Sequence, residues 1–388
     1  MGKPNLFKRI VAKCGLSFVV KTIILLVLVI LLITFILLRN CEDFCEFYSQ
    51  TFVQFYTFVF GHISSFFPFS LFEIFAIGTI LYSIAWIVFF IVNTKKLGIK
   101  RSYHMIMRLG IILLTIFVVY QGTAGINYSR GPVDVPQHKE LIEDPKDYKI
   151  ITDKFSDDFN YCASQLQFNE AGSVVKPYST DVLISNIEME YEKFESKYLY
   201  KYSPRAKPLY LTGWFYRMAY ISGVTFVPVG EANFNSLNND SYLPFTVAHE
   251  LAHTKGAMPE EDANLVAAYI CLNSEDPYIR YSGYDSTFWS LESLVMATNN
   301  DDDLNDFYNR LDDNIYRNNN YEYDYWKEHA TFEKIADKIN DWYLKFNNDE
   351  GTTSYSDNID TTETETEFII NSYSRFQALY MWMYFDKN

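Results

Sequence analysis

Along the first third of the chain, polar positions are rare and apolar ones run almost unbroken. Residues 22–38 are uncharged and nearly all Ile, Leu or Val, and with 16–20 ahead of Lys21 they reach the length that crosses a bilayer. Residues 71–92, with the single acid Glu73 near their start, and 109–126 repeat the pattern. Residues 41–70 are rich in Phe and Tyr but too broken for a span, and read as an interfacial loop.

Beyond residue 128 the apolar positions fall at helical spacing. Residues 129–155, with Pro132, Pro136, Pro145 and many charges, read as a linker. Helices are expected at 157–168, 181–198 and 209–221, the last too short to span and so part of a core. Residues 224–229 read as a strand, and Pro228 makes it a sheet edge. Residues 231–234 either continue that edge or form a loop into the next helix. Further helices are expected at 287–298, 302–316, 325–346 and 368–384, with a polar Thr/Asp/Glu-rich stretch at 347–367. The expectation is a mostly α chain. Residues 1–128 form a membrane anchor, 129–155 a linker and 156–388 a largely helical domain with a small sheet.

Charge sharpens this division. Of the 388 residues, 1–128 carry 11 Lys and Arg against 4 Asp and Glu, while the net charge of the whole chain is −15. The anchor is basic and the remainder strongly acidic, which argues against nucleic acid as a partner. Lys and Arg collect before the first span and between the second and third. Glu42, Asp43 and Glu46 lie between the first and second. The positive-inside rule then puts the N-terminus in the cytoplasm and everything after the third span outside it. No small-residue cleavage site follows residue 38, so the first span reads as an uncleaved anchor. Five Cys, at 14, 41, 45, 162 and 271, form no CxxC pattern, although Cys41 and Cys45 are close enough in sequence to pair.

The candidate chemistry sits at 243–273. His249-Glu250-Leu251-Ala252-His253 is an HExxH string in a stretch free of Pro and Gly from 246 to 255, and Gly256 then supplies a helix stop. Residues four apart share a helix face, so His249 and His253 can hold one metal ion, with Glu250 beside it as a general base. Pro259 opens a second helix with Glu260, Glu261 and Asp262 in its first turn. At about 100° per residue, Glu260 shares a sector with Ala263, Asn264, Ala267 and Cys271. Asp262 falls with Tyr269 and Asn273, and Glu261 lies near Leu265 and Ala268. An acid and an amide on an otherwise apolar face need a partner, which makes Glu260 the third-ligand candidate and Asn264 its supporting neighbour. Tyr281, Tyr284 and His329 are candidates for stabilising an oxyanion.

His249, Glu250, His253 and a Glu on the following helix, with a polar residue four further on, resemble the gluzincin class of zinc metallopeptidases. More closely, the chain resembles an uncharacterised family of bacterial membrane proteins, a domain of unknown function 3810. Pro68-Phe69-Ser70, Asn127-Tyr128-Ser129-Arg130, Gly230-Glu231-Ala232-Asn233 and His249 to Gly256 carry that resemblance, in that order. The family usually has Glu where this chain has Asp262.

The resemblance implies a zincin-like domain whose edge strand lies beside the metal. It also implies a membrane-anchored peptidase with Zn2+ on His249, His253 and Glu260. Lipid bilayer and a peptide or protein substrate are the implied partners. The alternative is a non-catalytic, membrane-anchored metal sensor or scaffold, which would have no use for Glu250. An intramembrane protease would place HExxH within a span, which the acids and Lys255 around it oppose.

Overall fold

A computed structural model describes residues 15–138, 145–296, 301–347, 349 and 375–387, with side chains left undescribed at 93–101, 145–147, 293, 294, 296, 301 and 303. The basic residues ahead of the first span, Cys14, residues 139–144 of the expected linker, 297–298, most of the polar stretch 347–367 and residues 368–374 lie outside the described residues. The chain divides into two compact units, Met1–Tyr56 with Leu71–Gly131, and Thr57–Ser70 with Pro132–Asn388.

In the first unit, α1 (Leu16–Leu38) packs alongside the C-terminal half of α4 (Leu71–Tyr120). The two run in the same direction, since Phe18 stacks on Tyr103, Leu25 lies at Gly110 and Phe35 at Gly122. Three stretches are long and apolar enough to cross a membrane, Leu16–Leu38, Leu71–Val92 and Ser102–Gly125. Leu71–Val92 and all but the last turn of Ser102–Gly125 lie on one uninterrupted helix of 50 residues, where the sequence reading expects a break between them. The intervening basic stretch has no Pro and a single Gly, Gly98, so nothing in it forces the helix to end. The Asn127–Arg130 string closes the unit. Asn127 accepts a hydrogen bond from Ser49 at 2.6 Å, and Arg130 holds Glu46 through two bonds of 2.8 and 3.0 Å.

Residues 41–70, expected as a loop, are mostly helical. They comprise α2 (Glu42–Tyr48), a π-helical turn at Ser49–Val53 and α3 (Gln54–Ser65). Cys45, Ser49, Val53, Thr57 and Gly61 recur every fourth residue on the buried side, while Phe47, Phe52, Phe55 and Phe58 face outward. The helix hides its small residues and exposes its aromatic ones, the reverse of the pattern that marks a soluble amphipathic helix. Cys41 and Cys45 are both free thiols, exposed and buried respectively.

The second unit is built on α5 (Pro145–Ser164), α6 (Thr180–Lys193), α8 (Leu243–Thr254), α9 (Glu260–Leu272) and α10 (Pro277–Met296), with a short α7 (Gly213–Met218) between. Helix α5 begins within the expected linker, because Ile151, Phe155, Phe159 and Cys162 form a fully buried four-residue stripe. The expected helix at 209–221 is instead the end of β3 (Lys207–Leu209) followed by α7. Two strands, β1 (Gln167–Phe168) and β2 (Val174–Val175), make a small hairpin ahead of α6.

β3, β4 (Gly223–Phe226) and β5 (Glu231–Asn235) form a sheet in the order β3-β5-β4. β4 is an outer strand, whereas 231–235 turns back to become the fully buried centre. Gly230, in the left-handed conformation at φ 64°, makes that reversal possible. Helices α11 (Asp301–Arg310), α12 (Asp313–His329) and α13 (Glu333–Asn347) follow. Asp312 caps α12 where the sequence suggests one helix across 302–316. Residues 375–381 are helical and run into a π-helical turn at Trp382–Asp386.

Candidate metal centre

Helix α8 is buried on nearly every side and packs against α9, and both carry buried alanines, Ala248 and Ala252 on one helix and Ala263, Ala267 and Ala268 on the other. Helix α8 ends in a Schellman turn: Gly256, at φ 97°, donates to the His253 carbonyl at 3.0 Å, and Ala257 donates to the Ala252 carbonyl at 3.1 Å. The same turn points the Ala257 carbonyl back at His253, 2.8 Å from Nδ1. An Nδ1–H bonded there leaves Nε2 as a lone pair aimed away from the cap, as a metal-ligating imidazole requires.

That lone pair meets two others. His253 Nε2 lies 3.1 Å from His249 Nε2 and 3.7 Å from Glu260 Oε1, and His249 Nε2 lies 3.2 Å from Glu260 Oε2. Four-coordinate zinc with ligands at about 2.0–2.1 Å separates its donor atoms by about 3.3–3.4 Å. The two Glu260 separations run to different carboxylate oxygens, and with one ligand atom from each residue the three donors lie within 4.8 Å of one another, close enough for the side chains to close on one ion. His249, His253 and Glu260 are the cluster of metal-type ligands found among the described residues. His253 is deeply buried and the His249 and Glu260 side chains are partly open, so the cup has one accessible side.

Electrostatics within the triad reflect this crowding. Burial alone would raise the Glu260 carboxyl, but the facing His253 charge and hydrogen bonds to both imidazoles hold it well below the usual carboxylate range. Burial opposes charge on His253, yet Glu260 more than offsets it and lifts the imidazole to about 9. A proton on His253 therefore occupies the place that a cation would take, and cation binding would expel it.

Glu250 stands outside the triad. Burial pushes its carboxyl pKa up, against the nearby imidazole charges and a hydrogen bond from Thr225. The Thr225 hydroxyl, on β4, lies 2.7 Å from Oε2. The other oxygen, Oε1, faces Gly223, where a Cβ would come within 2.3 Å of it. Local sequence signals neither Thr225 nor Gly223, since their role depends on a strand folding against the helix.

The remaining acids of α9 go elsewhere. Asp262 is buried and pairs with Arg375 at 2.8 Å, and Glu261 faces the same guanidinium at 3.6 Å. The backbone N–H of Glu260 donates to Asp349 at 3.1 Å, a carboxylate at the positive end of the helix dipole. Among the described residues no hydrogen bond joins Asn264 to either imidazole, and the buried Nδ1 of His249 has no partner. Tyr281 and Tyr284 lie in the aromatic core against Phe155 and Phe159. His329 bonds the Tyr325 carbonyl within its own helix. None of these three joins the cup.

A protein-family profile described as "Protein of unknown function (DUF3810)" matches residues 48–361. The chain belongs to this family. No curated protein and no solved structure matches it. The matched range runs from the last residue of α2 to beyond α13 and includes the whole candidate centre.

Proposed function

We propose that this DUF3810 protein is a membrane-anchored, zinc-dependent metallopeptidase of the gluzincin type. The observation that carries the reading is the cluster of His249, His253 and Glu260, whose ligand atoms lie within 4.8 Å of one another, with Glu250 held beside it and outside the ligand set. A zinc ion there would lower the pKa of a coordinated water and polarise a peptide carbonyl. The Glu250 carboxylate supplies the base. Thr225 occupies Oε2, so Oε1 is the oxygen available to accept a proton and pass it to the leaving amine. The bare backbone at Gly223 keeps the space around that oxygen clear. The outer strand β4 offers an edge on which an extended peptide can pair. Asn264 is the proposed partner of the His249 ring, whose Nδ1 is the imidazole nitrogen left without one. A sensor or scaffold role gains nothing from a buried carboxylate placed off the ligand set.

The proposed orientation is a cytoplasmic N-terminus and an extracytoplasmic catalytic unit, supported by the Lys and Arg bias. It is also supported by the inclusion of Thr57–Ser70, which precedes the second apolar stretch, in the catalytic unit. Segments before and after 71–131 then lie on one face of the membrane, so that region crosses an even number of times. In a bilayer this requires α4 to open near its basic middle, since a straight 50-residue rod would extend about 75 Å against a core of about 30 Å. An impermeant thiol reagent applied to intact cells should label Cys41 in a Cys14→Ser protein, and absence of labelling would contradict this orientation.

The test of the activity is metal analysis of the purified full-length protein with peptide-library cleavage by wild type and Glu250→Gln. Wild type should carry zinc and cleave. Glu250→Gln should keep the zinc and lose at least about a hundredfold in rate. Undiminished cleavage by the variant would refute the mechanism.

A further inference from the structure

Ser70 is bonded directly to Leu71, where the second membrane-crossing stretch begins. In the catalytic unit its hydroxyl donates to Glu231 Oε2 at 3.3 Å. Glu231 has no exposed surface, and its other oxygen is held by Ser64 Oγ at 2.7 Å and Lys207 Nζ at 2.6 Å. The same lysine bonds the Ser64 carbonyl at 2.7 Å. Beside this cluster the α3 backbone touches the β4–β5 turn, where a Cβ on Gly230 would lie 2.9 Å from the Gly61 nitrogen. The segment leading into the membrane is therefore fastened to the sheet by buried charge and by backbone contact. It cannot swing away without exposing an ion pair.

The path from there to the candidate centre is short. Glu231 on β5 pairs with Phe226 on β4, the neighbour of Thr225, whose hydroxyl holds Glu250. With cross-strand neighbours at about 5 Å, the contour from Ser70 to the Glu250 carboxylate is on the order of 20 Å at most. Phe66, Phe67 and Phe69, just ahead of the span, are exposed, as aromatic residues are at a membrane interface.

From this we infer that the site works at the bilayer surface and that its substrates are polypeptides anchored in the same membrane, cut within about six residues of their own span. The count follows from about 3.3 Å of extended chain per residue. The inference rests on the peptidase reading for the reaction, but not for the placement. An anchored substrate reaches the β4 edge without a free diffusion step, which raises its effective concentration over the same sequence in solution.

Two measurements on the full-length protein in phosphatidylcholine vesicles test it. A bimane on Val229→Cys, in a Cys14→Ser, Cys41→Ser background, should lose at least half its fluorescence when the vesicles contain a lipid with a nitroxide headgroup. Val224→Cys on β4 serves the same purpose should the first variant misfold. Undiminished fluorescence at a folded position overturns the placement. A random peptide library carried on a transmembrane helix should be cut at least tenfold faster than the free library, with cuts clustered in the first six residues from the helix. Equal rates and evenly spread cuts overturn the substrate class. If bimane is quenched and neither library is cut, the peptidase reading fails, and the substrate class with it, while the site still stands at the membrane.

Discussion

Thr225 on the outer strand reaches across to Glu250 on the HExxH helix, its hydroxyl 2.7 Å from one carboxylate oxygen and 3.0 Å from the backbone carbonyl. The strand thereby fixes the side chain on which the proposed chemistry depends. It does so next to a glycine whose lack of a side chain leaves the second oxygen free.

Gly223→Ala tests that arrangement. The new methyl would overlap Oε1, Cδ and Cγ of Glu250, at 2.3 to 2.7 Å, so the carboxylate must shift. The triad is untouched, and zinc content should stay at the wild-type level. Peptide cleavage should fall at least tenfold through kcat, because a displaced base is lost mainly in the transition state. Steady-state kinetics with parallel metal analysis checks both halves.

The Lys207–Glu231 pair should matter for stability out of proportion to its size. Glu231→Ala would leave a buried ammonium without its carboxylate, at a cost of about 3–5 kcal/mol. The double variant Lys207→Met with Glu231→Leu should recover much of that loss, since a buried pair replaced by apolar groups is often neutral. Urea unfolding of the three proteins in detergent distinguishes the outcomes.

Two neighbouring acids, Asp285 and Glu322, set a pH dependence. Burial raises the Asp285 carboxyl from 3.8 to about 7, and burial together with Asp285 raises that of Glu322, while the Asn318 amide lies 3.5 Å from Asp285. A raised folded-state pKa means that the native protein binds more protons than the unfolded chain between those values, so this contribution to stability falls as pH rises from about 4 to about 7. Thermal denaturation should show Asp285→Asn gaining on wild type from pH 5 to pH 8, at roughly 2–4 °C for each kcal/mol. A difference between the two proteins that does not change with pH would contradict the assignment.

The parts of the centre legible in the sequence are those written at helical spacing. His249 and His253 announce themselves four apart, and Glu260 separates from Asp262 because one lies among alanines and the other among polar residues. The structure gives Asp262 a different partner, Arg375, more than a hundred residues away, which no local pattern signals. Thr225, Gly223 and the Ala257 carbonyl escape for the same reason, since each acts through a contact made only on folding. In the fold, α2 and α3 were hidden because their buried stripe is Cys, Ser, Thr and Gly, and hydrophobic periodicity reads such a stripe as polar. The centre strand β5 reads from sequence as an edge or a loop because its short run of Asn and Glu carries no strand alternation. Glu231 is held by Lys207 and Ser64, and the Asn233 and Asn235 amides donate to backbone carbonyls of neighbouring residues.

The central claim is that His249, His253 and Glu260 together bind one zinc ion. Zinc per chain, measured on purified wild type, Glu260→Ala and Asp262→Ala, tests it most directly, with Asn264→Ala beside them expected to weaken binding by about tenfold or more. Wild type and Asp262→Ala should each hold one zinc, and Glu260→Ala should hold none. A full complement of zinc in Glu260→Ala, with loss in Asp262→Ala, would contradict the assignment.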